Sequence, residues 1–162
     1  MSDADPATAR RFCGSVFPAR KFELPEKELT VEFHFKASHV FKAKSRSLRD
    51  LMRGNLGDSQ LFWLFFESAT GKICLAVGKK QNGKVVDWPI RLLSQTDSWP
   101  ANVWMPVKLN LGQSGICLTV NGKTEIVSPK PVWFKTMDSL QIGRPFVSSG
   151  RFDELKLYGT RK

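Results

Sequence analysis

The stretch that decides the fold is residues 102–123, which read NVWMPVKLNLGQSGICLTVNGK. Apolar residues stand at every second position from Val103 to Leu111, and again from Ile116 to Val120. A period of two is typical of a strand with one buried face. The Asn121-Gly122 pair that follows indicates a two-residue hairpin turn, because both of its positions need a positive φ. The stretch therefore predicts two antiparallel strands and a tight turn into a third.

Other parts of the chain show the same strand pattern. The additional runs are Leu29–Phe35, Ile73–Val77, Leu140–Ile142 and Phe152–Tyr158, with turn signals at Thr70-Gly71, Asn82-Gly83 and Ser114-Gly115. Strands separated by turns, without long helical periods, indicate a sandwich or barrel and argue against a parallel α/β sheet. The sequence therefore predicts an all-β domain. Pro106 within a strand pattern indicates an edge strand or a bulge.

One segment, 43–59, breaks the alternation. Ser47 is a candidate helix cap and Gly54 a candidate helix end, so we predict one short helix near residues 47–53. The next run, Leu61–Phe66, is apolar on both faces and needs cover on both sides. The apolar face of the short helix is the natural lid for one of these faces.

The second half of the chain resembles a known family. Residues 104–111 (WMPVKLNL) and 115–123 (GICLTVNGK) resemble the tryptophan-led strand and the "LYVNGK" hairpin of laminin G-like, concanavalin A-like jelly rolls. Residues 140–143 (LQIG) and 149–158 (SGRFDELKLY) resemble the "LxIG" strand and the closing "GxIDELxIY" strand of that family. The resemblance is specific over 102–158, weaker over 12–40 and absent over 43–58.

The resemblance implies a two-sheet antiparallel jelly-roll sandwich that binds glycans or proteins. We expect a single domain over residues 12–159, a flexible leader over 1–11 and a tail over 160–162. Because such domains are often extracellular, we expect an extracellular or cell-envelope location within a larger protein. A cytoplasmic location stays open, because no signal peptide is visible.

Composition narrows the class of partner. The chain has 162 residues and a formal net charge of +10, with 25 Lys and Arg against 15 Asp and Glu. Such a surplus favours a polyanionic partner, although a basic protein need not bind one. No apolar run reaches the roughly 20 residues that a membrane helix needs. Cys13, Cys74 and Cys117 lack metal-ligand spacing, so the sequence argues against zinc and allows at most one disulfide.

The basic surplus is concentrated in one segment. Six cations lie between Lys36 and Arg53, against Asp50 as the one acid. The residues predicted to bind an anionic partner are Lys42, Lys44, Arg46, Arg49 and Arg53. We expect this segment to bind sulfate, phosphate or carboxylate groups of an acidic or sulfated glycan or of a protein. Nucleic acid is less favoured, because aromatic and basic residues do not interleave. The alternative is a solvated face without a partner.

The tryptophans are the second candidate site. Trp88, Trp99 and Trp133 lie next to or near proline in loop-like sequence, so they are a possible aromatic platform for sugar rings, with core packing as the alternative. Trp63 is expected in the core. The alternation points Trp104 away from the core, whereas the resemblance implies a packing role, and we expect Trp104 to be largely buried.

Asp153 is the candidate metal ligand. It shares strand parity with Leu155 and Leu157 and is therefore expected to face the core, where a carboxylate needs a cation or several hydrogen bonds. Many members of the resembled family hold calcium near the closing strand, so we predict one structural Ca²⁺ at Asp153 and no other cofactor. An ion pair with Arg144 or Arg151, or hydrogen bonds to loop amides, are the alternatives.

The sequence predicts no catalytic residues. Hydrolases of this fold carry a Glu-x-Asp-x-x-Glu run that is missing here, and His34 and His39 stand outside any recognisable nucleophile motif. The His, Asn, Arg and Trp cluster of a galectin-type sugar site is not recognisable either. We therefore predict a non-catalytic recognition module for an acidic glycan or a protein surface. The alternatives are a structural domain of a larger secreted or envelope protein without its own ligand, and then a glycan-active enzyme.

Overall fold

The protein is represented by a computed structural model that describes residues 16–23, 28–45, 50–134, 136–143 and 150–159. Within these ranges the chain forms strands and no helix. The strands are β1 Val16–Glu23, β2 Glu28–Ala37, β3 Phe41–Lys42, β4 Asp50–Leu56, β5 Gln60–Glu67, β6 Lys72–Gln81, β7 Lys84–Leu93, β8 Ser98–Trp99, β9 Trp104–Gly112, β10 Gly115–Val120, β11 Lys123–Ser128, β12 Thr136–Ile142 and β13 Gly150–Tyr158. The leader 1–11 and the tail 160–162 that we expected lie outside the described residues.

Two large antiparallel sheets make up the domain. The six-stranded sheet has the order β1-β12-β4-β5-β6-β7, and the five-stranded sheet has the order β11-β10-β9-β2-β13. A short ladder between β3 and β8 stands beside them. This arrangement confirms the prediction of an all-β, two-sheet jelly-roll sandwich.

The core lies between the facing surfaces of the two sheets. The predicted alternation supplies it: every second residue of β2 from Leu29 to Phe35 is buried, and so is every second residue of β9 from Met105 to Leu111. The six-stranded sheet contributes Phe62, Leu64 and Phe66 from β5 to the same cluster. Burial of such side chains stabilises each by about 1.5–3 kcal/mol, so the period of two decides which face points inward.

The predicted helix near residues 47–53 is wrong over residues 50–53, which belong to β4; residues 47–49 lie outside the described residues. β4 pairs with β5 on one side and with β12 on the other. Local helix signals lose here because a strand in the middle of a sheet gains two ladders of hydrogen bonds and buries both Leu51 and Met52.

The two-faced strand β5 is covered differently from our expectation. Phe62, Leu64 and Phe66 face the core. Trp63 and Phe65 form a small outer cluster with Cys74 and Ala76 of β6. The lid on this outer side is therefore made of neighbouring strands and not of a helix. Gly54 of β4 is required at its position, because a Cβ there would lie 2.2 Å from the Phe62 ring.

The tight turns lie where the sequence predicted them. Asn121 and Gly122 both have positive φ, at 52° and 74°, and Asn82 and Gly83 have 52° and 76°. They join β10 to β11 and β6 to β7. Cys74 and Cys117 are free thiols, whereas Cys13 lies outside the described residues.

Candidate functional site

A row of polar and aromatic side chains crosses the outer surface of the six-stranded sheet. Strand register aligns Gln141 of β12 with Arg53 of β4, Arg53 with Trp63 of β5, Trp63 with Ala76 of β6, and Ala76 with Arg91 of β7. We call this outer surface the Trp63 face, defined by Asp50, Arg53, Asn55, Trp63, Phe65, Glu67, Lys80, Trp88 and Arg91. Residues remote in sequence meet here, because adjacent strands lie about 4.8 Å apart.

Trp63 is the centre of this face and is held in a fixed orientation. Its Nε1 donates a hydrogen bond of 3.1 Å to Oδ1 of Asp50. The guanidinium carbon of Arg53 lies 4.8 Å from the centre of the Trp63 ring, within the range of a cation–π contact. Phe65 and Trp88 lie beside it, with ring centres 4.2 and 6.1 Å away. The half-buried indole is therefore braced by contacts on several sides.

Trp88 is the exposed aromatic at the side of this face. Its side chain is 40% exposed. A Cβ on Gly78 would lie 3.0 Å from the Trp88 ring, so the glycine lets the indole rest close to the strand backbone. The pair of Trp63 and Trp88 thus offers two aromatic rings on one surface.

Polar groups continue the face along β4. Lys80 Nζ donates to Asn55 Oδ1 at 3.2 Å, and Asn55 Nδ2 donates to Ser139 Oγ at 2.6 Å. This chain fixes the amide of Asn55 and places an ammonium group beside it. The arrangement offers a cation and oriented hydrogen-bonding groups next to the aromatic pair.

A carboxylate–guanidinium pair closes the far side. Arg91 donates to Glu67 and forms a salt bridge with it, and Thr70 Oγ1 donates to Glu67 Oε2 at 2.7 Å. The Thr70 hydrogen bond and the Arg91 guanidinium hold the pKa of Glu67 below its ordinary value, against the effect of burial. Glu67 is therefore an ionised hydrogen-bond acceptor at neutral pH.

Beneath the face, burial raises the pKa of the Cys74 thiol to about 11, so this sulfur stays protonated.

The other predicted tryptophans have different surroundings. Trp133 is 58% exposed and lies just before β12. Trp99 is only 3% exposed, and its Nε1 donates to the Gly71 carbonyl at 3.0 Å. The prediction that Trp99 belongs to an aromatic platform is wrong, because β8 turns its ring into the core. Trp104 is 36% exposed, with Lys36 Nζ 4.8 Å from its ring centre, so the alternation and not the resemblance gives its direction correctly.

The predicted basic segment is divided by the fold. Lys42 and Lys44 are exposed beside the turn after β5, where the Lys44 amide donates to the Ser68 carbonyl at 2.7 Å. Arg53 pairs with Trp63. Trp63 is five positions before Ser68, so Arg53 lies roughly 15 Å from the Lys44 contact, measured along β5. Arg46 and Arg49 lie outside the described residues. Arg53 lies on the strand β4 and not on the short helix that we predicted for residues 47–53.

Asp153 is exposed and does not face the core as expected. The ladder between β13 and β2 shifts register between Asp153 and Lys156, and Glu154 has a φ of 50°. This bulge breaks the strand parity with Leu155. Asp153 Oδ1 accepts a hydrogen bond of 2.8 Å from the Glu154 amide at this bulge of β13.

The described surroundings of Asp153 give calcium no additional support. Over the ranges that the structure covers, no three Asp, Glu, His or Cys side chains come together as metal ligands. The burial that motivated the metal is also missing. Calcium binding at Asp153 stays a prediction, now without that support.

The Trp63 face is the candidate site that sequence reasoning did not find. Its residues come from four strands, and the register that aligns them is a tertiary property. One signal did point to it: a strand that is apolar on both faces, Leu61–Phe66, must present aromatic side chains on the outer surface if no helix covers it.

Comparison with known proteins supports the fold. The sequence matches no protein-family model and no curated protein. Among solved structures, the chain is similar to the homodimeric agglutinin CG-16 from chicken liver, with 9% identity and a TM-score of 0.58 over 89% of this chain and 98% of that chain.

Two further structures share the arrangement. Domain 4 of AbnA, an extracellular arabinanase from Geobacillus stearothermophilus in complex with arabinotriose, has 14% identity and a TM-score of 0.61 over 90% of this chain and 66% of that chain. Domains LG4-5 of the mouse laminin α1 chain have 14% identity and a TM-score of 0.54 over 91% of this chain and 40% of that chain. At these identities the likeness shows the fold, and it confirms the resemblance to laminin G-like, concanavalin A-like jelly rolls at that level.

Proposed function

We propose that this protein is a non-catalytic recognition module that binds an acidic glycan on the Trp63 face. The observation that carries the proposal is the braced Trp63 ring, with the Arg53 guanidinium 4.8 Å from its centre and Trp88 beside it. The apolar side of a sugar ring packs on an indole, while guanidinium, amide and carboxylate groups bond to its hydroxyl or acidic substituents. The likeness to the chicken agglutinin and to the arabinotriose-bound domain supports a glycan as the ligand in general; the acidic character rests on the charges of the face.

The charges of the face favour an acidic sugar over a neutral one. This surface carries three cations, Arg53, Lys80 and Arg91, and two carboxylates, Asp50 and Glu67. Glu67 is already paired with Arg91. Arg53 forms no ion pair with any residue within the described ranges. Its guanidinium offers a fork of donors to a carboxylate or sulfate, a geometry that suits these groups.

Ionised carboxylates suit the recognition of a sugar ligand, because they accept hydrogen bonds from its hydroxyl groups. Where a carboxyl pKa is shifted in the described part of the chain, at Glu32, Glu67 and Glu125, hydrogen bonds and cationic neighbours lower it. These groups are ionised acceptors at neutral pH, which suits recognition.

The location that we propose is extracellular or in the cell envelope, within a larger protein. The chain has no helix in its described part that is long and apolar enough to cross a membrane. Lys42 and Lys44, beside the turn after β5, remain predicted contacts for an anionic partner, as do Arg46 and Arg49, which lie outside the described residues.

Binding to immobilised heparin tests the charge part of the proposal. Arg53→Gln and Arg151→Gln each remove one exposed cation, the first from the Trp63 face and the second from the outer surface of the five-stranded sheet. We expect Arg53→Gln to elute at clearly lower salt than Arg151→Gln, because only Arg53 contacts the ligand. Equal elution would mean that net charge alone retains the protein.

A glycan array tests the aromatic part. We expect Trp63→Ala to lose binding by about tenfold or more, since it removes the stacking ring and the contact with Arg53. Trp104→Ala, on the other sheet, is the matched control and should bind as the unmodified protein does. Unchanged binding by Trp63→Ala, with both variants folded by circular dichroism, would overturn the proposal.

A further inference from the structure

A second concave surface lies at one end of the six-stranded sheet. We call it the Trp133 groove; it has a volume of about 440 Å³ and is lined by Leu56, Gly57, Asp58, Ser59, Trp133, Phe134 and Thr136. The groove combines the turn between β4 and β5 with the segment that leads into β12. Trp133 is more exposed than Trp88, Trp99 or Trp104. An exposed aromatic ring at the wall of a groove offers an apolar face on which a sugar ring can pack.

The Trp133 groove continues the Trp63 face. β4 runs from Arg53 through Asn55 to the turn at Gly57, and its neighbour β12 runs from Thr136 through Ser139 to Gln141. The hydrogen-bonded pair of Asn55 and Ser139 therefore lies between the two surfaces. Gly57 is four positions after Arg53, which corresponds to about 13 Å along the strand. That span suits a chain of several sugar units and exceeds a single sugar ring.

The two surfaces differ in charge. The Trp63 face presents Arg53 and Lys80, whereas the described part of the groove lining contains one carboxylate, Asp58, and no cation; Lys135 lies outside the described residues. Asp58 disfavours an acidic substituent next to it, and so does Asp138, whose Oδ1 accepts a hydrogen bond of 3.3 Å from the Thr136 hydroxyl. Ser59 provides a hydroxyl group for a neutral polar partner. The same surface thus changes along β4 from one that attracts acidic groups to one that suits neutral, hydroxyl-rich groups.

We infer that one glycan chain spans both surfaces, with an acidic sugar on the Trp63 face and a neutral sugar stacked on Trp133. The inference rests on the proposed function and adds the ligand class: a polymer in which acidic and neutral sugars alternate. Uniformly sulfated chains are selected against, because every unit that reaches the groove brings a negative charge to Asp58.

Hyaluronan fragments of defined length are the probe, since glucuronic acid alternates with neutral N-acetylglucosamine in them. We expect affinity to rise by about tenfold or more between the disaccharide, which is too short to reach both surfaces, and the octasaccharide, because the second contact becomes intramolecular. Trp133→Ala should bind the disaccharide normally and lose the gain with length. Trp104→Ala, which removes an exposed tryptophan from the other sheet, should keep the gain.

Asp58→Asn tests the charge selection without altering Trp133. We expect it to raise affinity for long heparin fragments severalfold and to change affinity for hyaluronan fragments of equal length by less than about twofold. If hyaluronan fragments bind in a Trp63-dependent way while length, Trp133→Ala and Asp58→Asn have no effect, the spanning inference is overturned and the proposed function stands. If no fragment of any length binds, the proposed function itself fails.

Discussion

Glu125 is a charged residue in a buried position. It is a carboxylate with 3% exposure, on β11 of the five-stranded sheet. Its oxygens accept hydrogen bonds from the amide and hydroxyl of Thr96, at 2.8 and 2.6 Å, and Lys123 Nζ lies 3.1 Å away. Burial raises the pKa of Glu125, but these partners outweigh burial and hold the pKa below its ordinary value. The carboxylate stays charged in this buried position because both of its oxygens accept hydrogen bonds.

Replacing Glu125 with Gln should destabilise the fold by about 1–3 kcal/mol at pH 7, because hydrogen bonds of the carboxylate are lost in a buried site. The pKa is lowered in the folded state, so the carboxylate contributes stability above the unfolded pKa. That contribution is lost as the pH falls through the folded pKa. The difference between the variant and the unmodified protein in urea unfolding should therefore shrink between pH 7 and pH 3.

Lys123→Met is the companion change, since it removes the partner cation and keeps the carboxylate. It should raise the pKa of Glu125 and move the acid-induced loss of stability to higher pH. A Glu125→Gln variant that is equally destabilised at pH 7 and pH 3 would show that the site acts through packing alone.

At the scale of elements, the period of two was sufficient to find β2, β9 and β10, because each has one buried and one exposed face. The position of Pro106 shows what such patterns omit. We predicted an edge strand or a bulge, but β9 lies between β2 and β10, and its pairing with β2 is regular. The ring is tolerated because β10 ends opposite Val107, so Pro106 lies beside the Asn121 turn and not in a ladder on that side.

The strand β4 could not be predicted from its own residues. Its arginine, leucine and methionine are good helix formers, and only its neighbours β5 and β12 make it a strand. The candidate site shares this limit. The sequence identified Trp88, Trp133 and Arg53 as residues of interest, but the alignment of Arg53 with Trp63 depends on register between strands.

The turn between β10 and β11 provides a test at this scale. Asn121→Ala places a Cβ-bearing residue without a local hydrogen-bonding side chain at a φ of 52°. We expect a loss of about 1 kcal/mol in the free energy of unfolding, from strain in the left-handed region. Asn121→Gly should be tolerated better, since glycine adopts this conformation readily. The two variants can be compared by urea unfolding, and an equal loss in both would mean that the Asn121 side chain and not its backbone is needed.

At the scale of the whole molecule, the two sheets differ in how far apart in the chain their partners are. Strands β4 to β7 form a continuous meander in which each strand pairs with the next. In the five-stranded sheet, β2 pairs with β9 and β13, so residues near 30 must find residues near 110 and near 158. All the residues that define the Trp63 face lie on the strands of this meander.

This difference has a consequence for the order of folding. Closing short loops costs less entropy than closing long ones, so the meander is expected to form before β2 docks between β9 and β13. Val77→Ala in β6 and Val31→Ala in β2 remove the same atoms from buried sites. In stopped-flow measurements, Val77→Ala should mainly slow refolding and Val31→Ala should mainly speed unfolding. The reverse pattern would mean that the five-stranded sheet, with its long-range pairings, nucleates first. The expected pattern means that the surface proposed to bind glycan is assembled early, before the barrier to the native state is crossed.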